Sequence, residues 1–205
     1  KKAQKSFGIK EDGVITAALI KELNISIQDR IKKLLINLER MRWVPSVPQE
    51  NFIIVNIPEF RLHVFEGPKK LFTINIVAGK AAHNTVIFTG ELKNVVFSTY
   101  WNVPPSIVRN EILPAIRRNS NYLIKMNMEQ TGYSNGLPVI RQKPGGANAL
   151  GYVKFIFPNS YNIYFHDTPS KSLFNEDIRA FSHGCIRCAE PPKLASYLLR
   201  NQPEG

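Results

Sequence analysis

The chain is expected to be mainly β with helical additions. From Asn51 onward, short runs rich in β-branched and aromatic residues recur: Phe52 to Ile57, Arg61 to Phe65, Leu71 to Val77 and Val95 to Tyr100. They are divided by the turn signals Pro58-Glu59, Gly67-Pro68 and Gly79-Lys80, a spacing that suits a β-sandwich or barrel. No strand–helix alternation is seen, which argues against a parallel α/β sheet.

Helical periodicity is strongest before Asn51. Asp12-Gly13 is a turn, Thr16 can cap Ala17 to Leu23, and Asn24 can end that helix. Ser26, with Asp29 three residues on, resembles a capping box opening a helix that runs to about Arg42. Its apolar stripe, Ile27, Ile31, Leu34, Leu38 and Met41, reads as a face that packs on a neighbouring domain. Trp43-Val44-Pro45-Ser46-Val47-Pro48 reads as a linker, because its prolines suit neither helix nor central strand. The domain reading is 1–48 and 49–205.

Within the second domain, residues 101–130 interrupt the strands. Ser106 to Leu113 and Pro114 to Met126 look like short helices, with Pro105 and Pro114 at first-turn positions. Residues 131–151, rich in Gly, Pro and Asn, read as a long loop, so 101–150 is expected to be an insertion covering a site. Tyr152 to Phe157 and Asn162 to His166 return to strand character, and Lys193 to Arg200 closes the chain as a helix.

The 205 residues suffice for one main domain and a smaller one, and no apolar run reaches transmembrane length. The chain opens on Lys1 without a methionine and reads as a processed or truncated product, with any membrane anchor lying outside it. The net charge of +11 favours polyanions, but no zinc-finger or RNA-recognition signature is present, so nucleic acid is not the expected partner. His63 and His83 lack neighbours at metal-ligand spacing and read as structural or surface residues. No paired-carboxylate motif suggests glycosidase chemistry.

The chemistry concentrates in His166-Asp167 and Ser182-His183-Gly184-Cys185-Ile186-Arg187. Cys185 follows a glycine, which lets the backbone turn sharply and present the sulfur. His183 and Arg187 flank it, and nearby cations lower a thiol's pKa. His166, ending a strand, is the candidate base, since a thiol nucleophile needs one close in space. Cys185-x-x-Cys188 also has dithiol-redox spacing, but no helix opens at the motif, which argues against that use. Cys188 reads as a small buried hydrophobe.

This motif resembles the signature of the L,D-transpeptidases, enzymes that rework bacterial peptidoglycan. Tyr100-Trp101-Asn102-Val103-Pro104-Pro105-Ser106, Arg141-Gln142-Lys143-Pro144-Gly145 and Asn148-Ala149-Leu150-Gly151 resemble the large Gram-negative subgroup. That subgroup carries a helical peptidoglycan-binding domain and a capping subdomain, and residues 1–24 resemble the end of its binding domain. The resemblance implies an L,D-transpeptidase-type β-sandwich with Cys185 as nucleophile and His166 as base. It implies that the Asp167 carbonyl orients the imidazole, and that the Gly184 and Cys185 N–H groups, with His183, hold the oxyanion. Ser182 and Arg187 would shape the pocket, and Trp101, Asn102 and Tyr152 would line the substrate cleft. Peptidoglycan stem peptides are the implied partners and carbapenem β-lactams the implied inhibitors. The implied enzyme is a periplasmic monomer needing no metal or cofactor. The stretch from Gly132 to Arg141 is shorter than that subgroup's cap leads one to expect. A non-catalytic peptidoglycan-binding scaffold is the alternative from a different class, and intact His166 and Cys185 argue against it.

Overall fold

A computed structural model describes residues 1–42, 50–80 and 85–202. The proline-rich stretch read as a linker, and His83, lie outside them. The chain divides into two compact units, residues 1–53 with 64–71, and residues 54–63 with 72–205.

The first unit carries three helices, α1 (Lys2–Ser6), α2 (Ala17–Leu23) and α3 (Ile27–Arg42). Both foreseen caps form. Thr16 Oγ1 accepts the Leu19 N–H at 3.2 Å, and Ser26 Oγ accepts the Asp29 N–H at 3.1 Å while donating to Asp29 Oδ2 at 2.7 Å. Buried Gln4 ties the first turns together by donating to Asp12 Oδ1 and accepting from the Gly13 N–H. The apolar stripe of α3 is exposed along its length among the described residues.

The strands are β1 (Asn51–Asn56), β2 (Arg61–Glu66), β3 (Lys69–Gly79), β4 (Asn94–Phe97), β5 (Trp101–Asn102), β6 (Met128–Ser134), β7 (Leu137–Gln142), β8 (Val153–Ile156), β9 (Phe165–His166), β10 (Ala180–Ser182) and β11 (Ile186–Cys188). The mainly β class holds. One sheet runs β1-β2-β3-β11-β9-β8-β4, with β10 beside β3. It is mixed: β11 is parallel to β9 and β10 to β3, whereas β11–β3, β8–β9 and β4–β8 are antiparallel. Strands β10 and β11 carry the cysteine motif and were not foreseen, because three-residue strands leave no alternation to read.

Strand pairing sorts the side chains onto two faces, since successive residues point to opposite sides. The row Ile76–Cys188 and the row Ile186–Phe165–Phe155 are buried and form the core face. The intervening row is Val77–Arg187–His166–Lys154. Helix α7 (Pro191–Leu199) buries Leu194 and Ala195, and its Tyr197 meets Phe72 edge-on at 5.6 Å.

The insertion 101–150 has its own core of Val103, Ile107, Val108, Ile112, Met128 and Ile140. It contains α4 (Pro105–Ile107), a π-helical turn (Val108–Ile112), α5 (Leu113–Arg118) and α6 (Tyr122–Lys125). The expected long loop is largely a hairpin instead: β6 pairs antiparallel with β7, and β5 pairs with β7 on the other side. Asn135 and Gly136 form its turn with φ of 50° and 74°, as a type I′ turn requires. Residues 132–141 are the facing ends of this hairpin and its two-residue turn.

Candidate active site

Cys185 sits where β9 and β11 run side by side. The Ile186 N–H donates to the Tyr164 carbonyl at 3.1 Å, and Arg187 pairs with His166 in register. This brings the two halves of the motif, distant in sequence, onto one sheet face.

The loop before the cysteine is held from within. Ser182 Oγ donates to the Cys185 carbonyl at 2.5 Å and accepts the Gly184 N–H at 3.1 Å. Gly184 has φ of +116°, a conformation that L side chains rarely adopt. The loop is also tied from outside, because Thr85 Oγ1 donates to the Gly184 carbonyl at 2.9 Å and accepts the Gly79 N–H at 3.0 Å. Thr85 was not singled out in the sequence. The Gly184 N–H, expected to face an oxyanion, is instead engaged by Ser182. His183 reaches the insertion, with its Nε2 3.2 Å from Glu111 Oε1.

His166 is buried, and its Nδ1–H donates to the Asp167 carbonyl at 2.5 Å. That bond fixes the tautomer and leaves Nε2 as the basic nitrogen. Burial, reinforced by the Arg187 charge, lowers the imidazole pKa to about 3, so the ring is neutral at pH 7. Asp167 is itself held: its carboxylate accepts from Lys171 Nζ at 2.6 Å, the Thr168 N–H at 2.7 Å and the Tyr152 N–H at 3.0 Å. Burial pushes this carboxyl up, but the Lys171 and backbone hydrogen bonds outweigh it and keep the pKa below the usual range. Gly151 packs directly on this carboxylate: a Cβ there would lie 2.3 Å from Asp167 Oδ2.

The thiol contacts differ from those the sequence implies. Cys185 Sγ donates to the Asn162 carbonyl at 3.5 Å and also interacts with Tyr164 through that residue's backbone and side chain. No Cys185–His166 hydrogen bond is among the contacts of the described residues; the imidazole stands in the next row of the same face. Such catalytic bonds commonly tighten only with substrate in place. The expectation of a lowered thiol pKa is overturned: burial raises it and outweighs Tyr164, Lys154 and Arg187, which act to lower it. At pH 7 Cys185 and His166 are therefore both neutral.

Two neighbours were missed. Tyr164 touches the thiol, and burial raises its phenol pKa. Lys154 pairs with His166 in register and sets its Nζ 3.8 Å from the Tyr164 ring centroid. The readable signal was spacing, since Tyr164 is two residues before His166 and shares its face.

The expected cleft residues are not gathered at the thiol. Trp101 packs against the core of the insertion, and exposed Asn102 lies opposite Arg141 at that subdomain's sheet edge. Tyr152 lines a separate cavity of about 360 Å³ with Gly146, Gly151, Asp167, Lys171 and Pro191. Both cysteines are free thiols. Cys188 faces the core, and burial raises its pKa to about 12, so β11 holds the two side chains apart and the dithiol reading fails. His63 has a structural role, bonding Thr73 Oγ1 and Glu59 Oε2, each at 2.9 Å.

A family model described as the YkuD L,D-transpeptidase catalytic domain matches residues 50–203. The chain belongs to the YkuD family. A Haemophilus influenzae protein, provisionally named an L,D-transpeptidase, is 31% identical over 195 residues. That alignment takes in 88% of this chain and 38% of the relative, so the chain spans well under half of the relative's length. Among solved structures, an L,D-transpeptidase from Mycobacterium smegmatis covers 73% of this chain and 54% of its own at 15% identity and a TM-score of 0.41. An LD transpeptidase solved in complex with imipenem covers 72% and 53% at 14% identity and a TM-score of 0.38.

Proposed function

We propose that the chain is an L,D-transpeptidase of peptidoglycan, with Cys185 as nucleophile and His166 as base. The observation that carries this reading is the shared face of β9 and β11, where the thiol motif lies beside an imidazole whose Nδ1 is pinned to the Asp167 carbonyl.

The neutral pair works by general-base catalysis in the transition state. A donor peptide displaces the thiol from the Asn162 carbonyl, and His166 Nε2 takes its proton. The sulfur attacks the carbonyl of the third stem residue, and the oxyanion forms against the Cys185 N–H, with the Tyr164 hydroxyl and His183 as further donors. The imidazolium returns the proton to the departing D-alanine amine, which leaves a thioester on Cys185. An amine of a second stem then gives a proton to His166 and attacks the thioester. A 3–3 cross-link forms, and the sulfur is released and reprotonated. Water as acceptor gives L,D-carboxypeptidase action, and a lipoprotein lysine gives anchoring. A carbapenem acylates the same sulfur. The substrate places this work in the periplasm of a Gram-negative bacterium, and no step calls on a metal or cofactor.

The test pairs intact-protein mass spectrometry with carbapenem and muropeptide assays on the wild type and Cys185→Ala. One carbapenem adduct and 3–3 dimers from the wild type, with neither from the variant, are expected. A folded wild type that gives no adduct and no product from any donor overturns the reading in favour of a wall-binding scaffold.

A further inference from the structure

Two cations flank the imidazole near the thiol, and no carboxylate among the described residues pairs with either. Arg187 and Lys154 stand in the row Arg187–His166–Lys154, one strand to either side of the imidazole, with their Cα atoms about 10 Å apart from the spacing of sheet strands. The Lys154 ammonium rests on the Tyr164 ring and makes no ion pair among the described residues. Arg187 Nε is buried and has no hydrogen-bond partner. Burial lowers the pKa of both residues, and the Cys185 sulfur acts on both in the opposite direction. Yet the thiol is protonated at rest, and His166 is neutral. Half-buried charge of one sign, left unanswered, is costly unless a ligand supplies the other.

We propose that Lys154 and Arg187 form the seat for the carboxylate at the donor's D-alanine end. The inference rests on the function proposed above. In that donor the carboxylate carbon lies three bonds beyond the scissile carbonyl carbon, under about 4 Å away from standard bond lengths. A carbonyl brought to the sulfur therefore carries this anion toward the two cations that flank His166. Arg187 offers its guanidinium and Lys154 a point charge, and each bond to the carboxylate is charge-assisted. The seat selects a free C-terminal acid and discriminates against donors whose terminus is capped or extended.

The experiment measures binding without turnover. Calorimetry on Cys185→Ala uses two synthetic tetrapeptide stems, one ending in D-alanine and one in D-alaninamide. The acid is expected to bind about tenfold or more tightly than the amide, the size of a charge-assisted bond. Adding Lys154→Met should bring that ratio close to one, and adding Lys154→Arg should preserve it, with circular dichroism confirming that both variants fold. Equal binding of acid and amide to Cys185→Ala overturns the seat, as does a Lys154→Met effect that weakens both peptides alike or the absence of binding by either peptide. A wild type that discriminates in binding but turns over neither donor counts against the transpeptidase reading and leaves the seat standing.

Discussion

Cys185 and Cys188 belong to one short segment but to opposite faces of the sheet. Cys188 points into the core beside Ile76, and burial, with the Asp167 charge adding to it, holds its thiol protonated. Cys185 is also pushed up by burial, but it meets Tyr164, Lys154 and Arg187, all of which pull toward the thiolate. The difference is one of strand parity: an odd step along an extended chain moves a side chain across the sheet, from a hydrocarbon interior to a polar face. The surroundings of each thiol are set by which face of the sheet it occupies, more than by its neighbours in sequence.

The contrast can be broken most severely at the base. His166 has a folded pKa of about 3 against an ordinary value of 6.5. Below 6.5 the unfolded chain takes up a proton that the folded chain refuses. The stability this group contributes is complete above pH 6.5 and is lost as pH falls toward 3, at up to about 1.4 kcal/mol per pH unit. Denaturant titrations between pH 7 and 4 should show His166→Asn losing less stability on acidification than the wild type. Parallel curves would mean that the imidazole is not held neutral by burial.

A smaller effect is expected from Gly151→Ala. The new Cβ must displace the Asp167 carboxylate, and φ of +61° adds strain, so a loss of about 2–4 kcal/mol should appear in urea midpoints. Turnover should fall too, because the Asp167 carbonyl holds His166. Unchanged stability would show that Asp167 has room to move aside.

The mildest is Cys188→Ser, which places a hydroxyl on the core face at a cost of about 1–3 kcal/mol. Carbapenem acylation at Cys185 should persist at close to the wild-type rate. Loss of acylation in a folded Cys188→Ser protein would tie the two faces together and break the contrast.

The pairing of His166 with the Cys185 segment was legible because a thiol, a glycine and a histidine in one motif leave few other uses. So were the Thr16 and Ser26 caps and most long strands, where local pattern decides. Lys154 was not legible, because its place beside His166 depends on the register between β8 and β9, which no local pattern states. The β6–β7 hairpin was legible in principle: Asn135-Gly136 is a strong turn signal, masked by reading the surrounding glycines and prolines as loop. Trp101 misled, since a large aromatic next to a site motif also serves the core of the insertion.

The Thr85 tether carries a consequence for how the protein matures. Its hydroxyl joins the Gly184 carbonyl across 99 residues of sequence, and the β11–β3 pairing spans a similar distance. Contacts between such remote segments form late, because closing a long loop must precede any gain from it. The loop before Cys185 therefore takes its final geometry only once these distant segments have met. A half-folded chain lacks this tether, and the arrangement around Cys185 comes into being together with the completed domain.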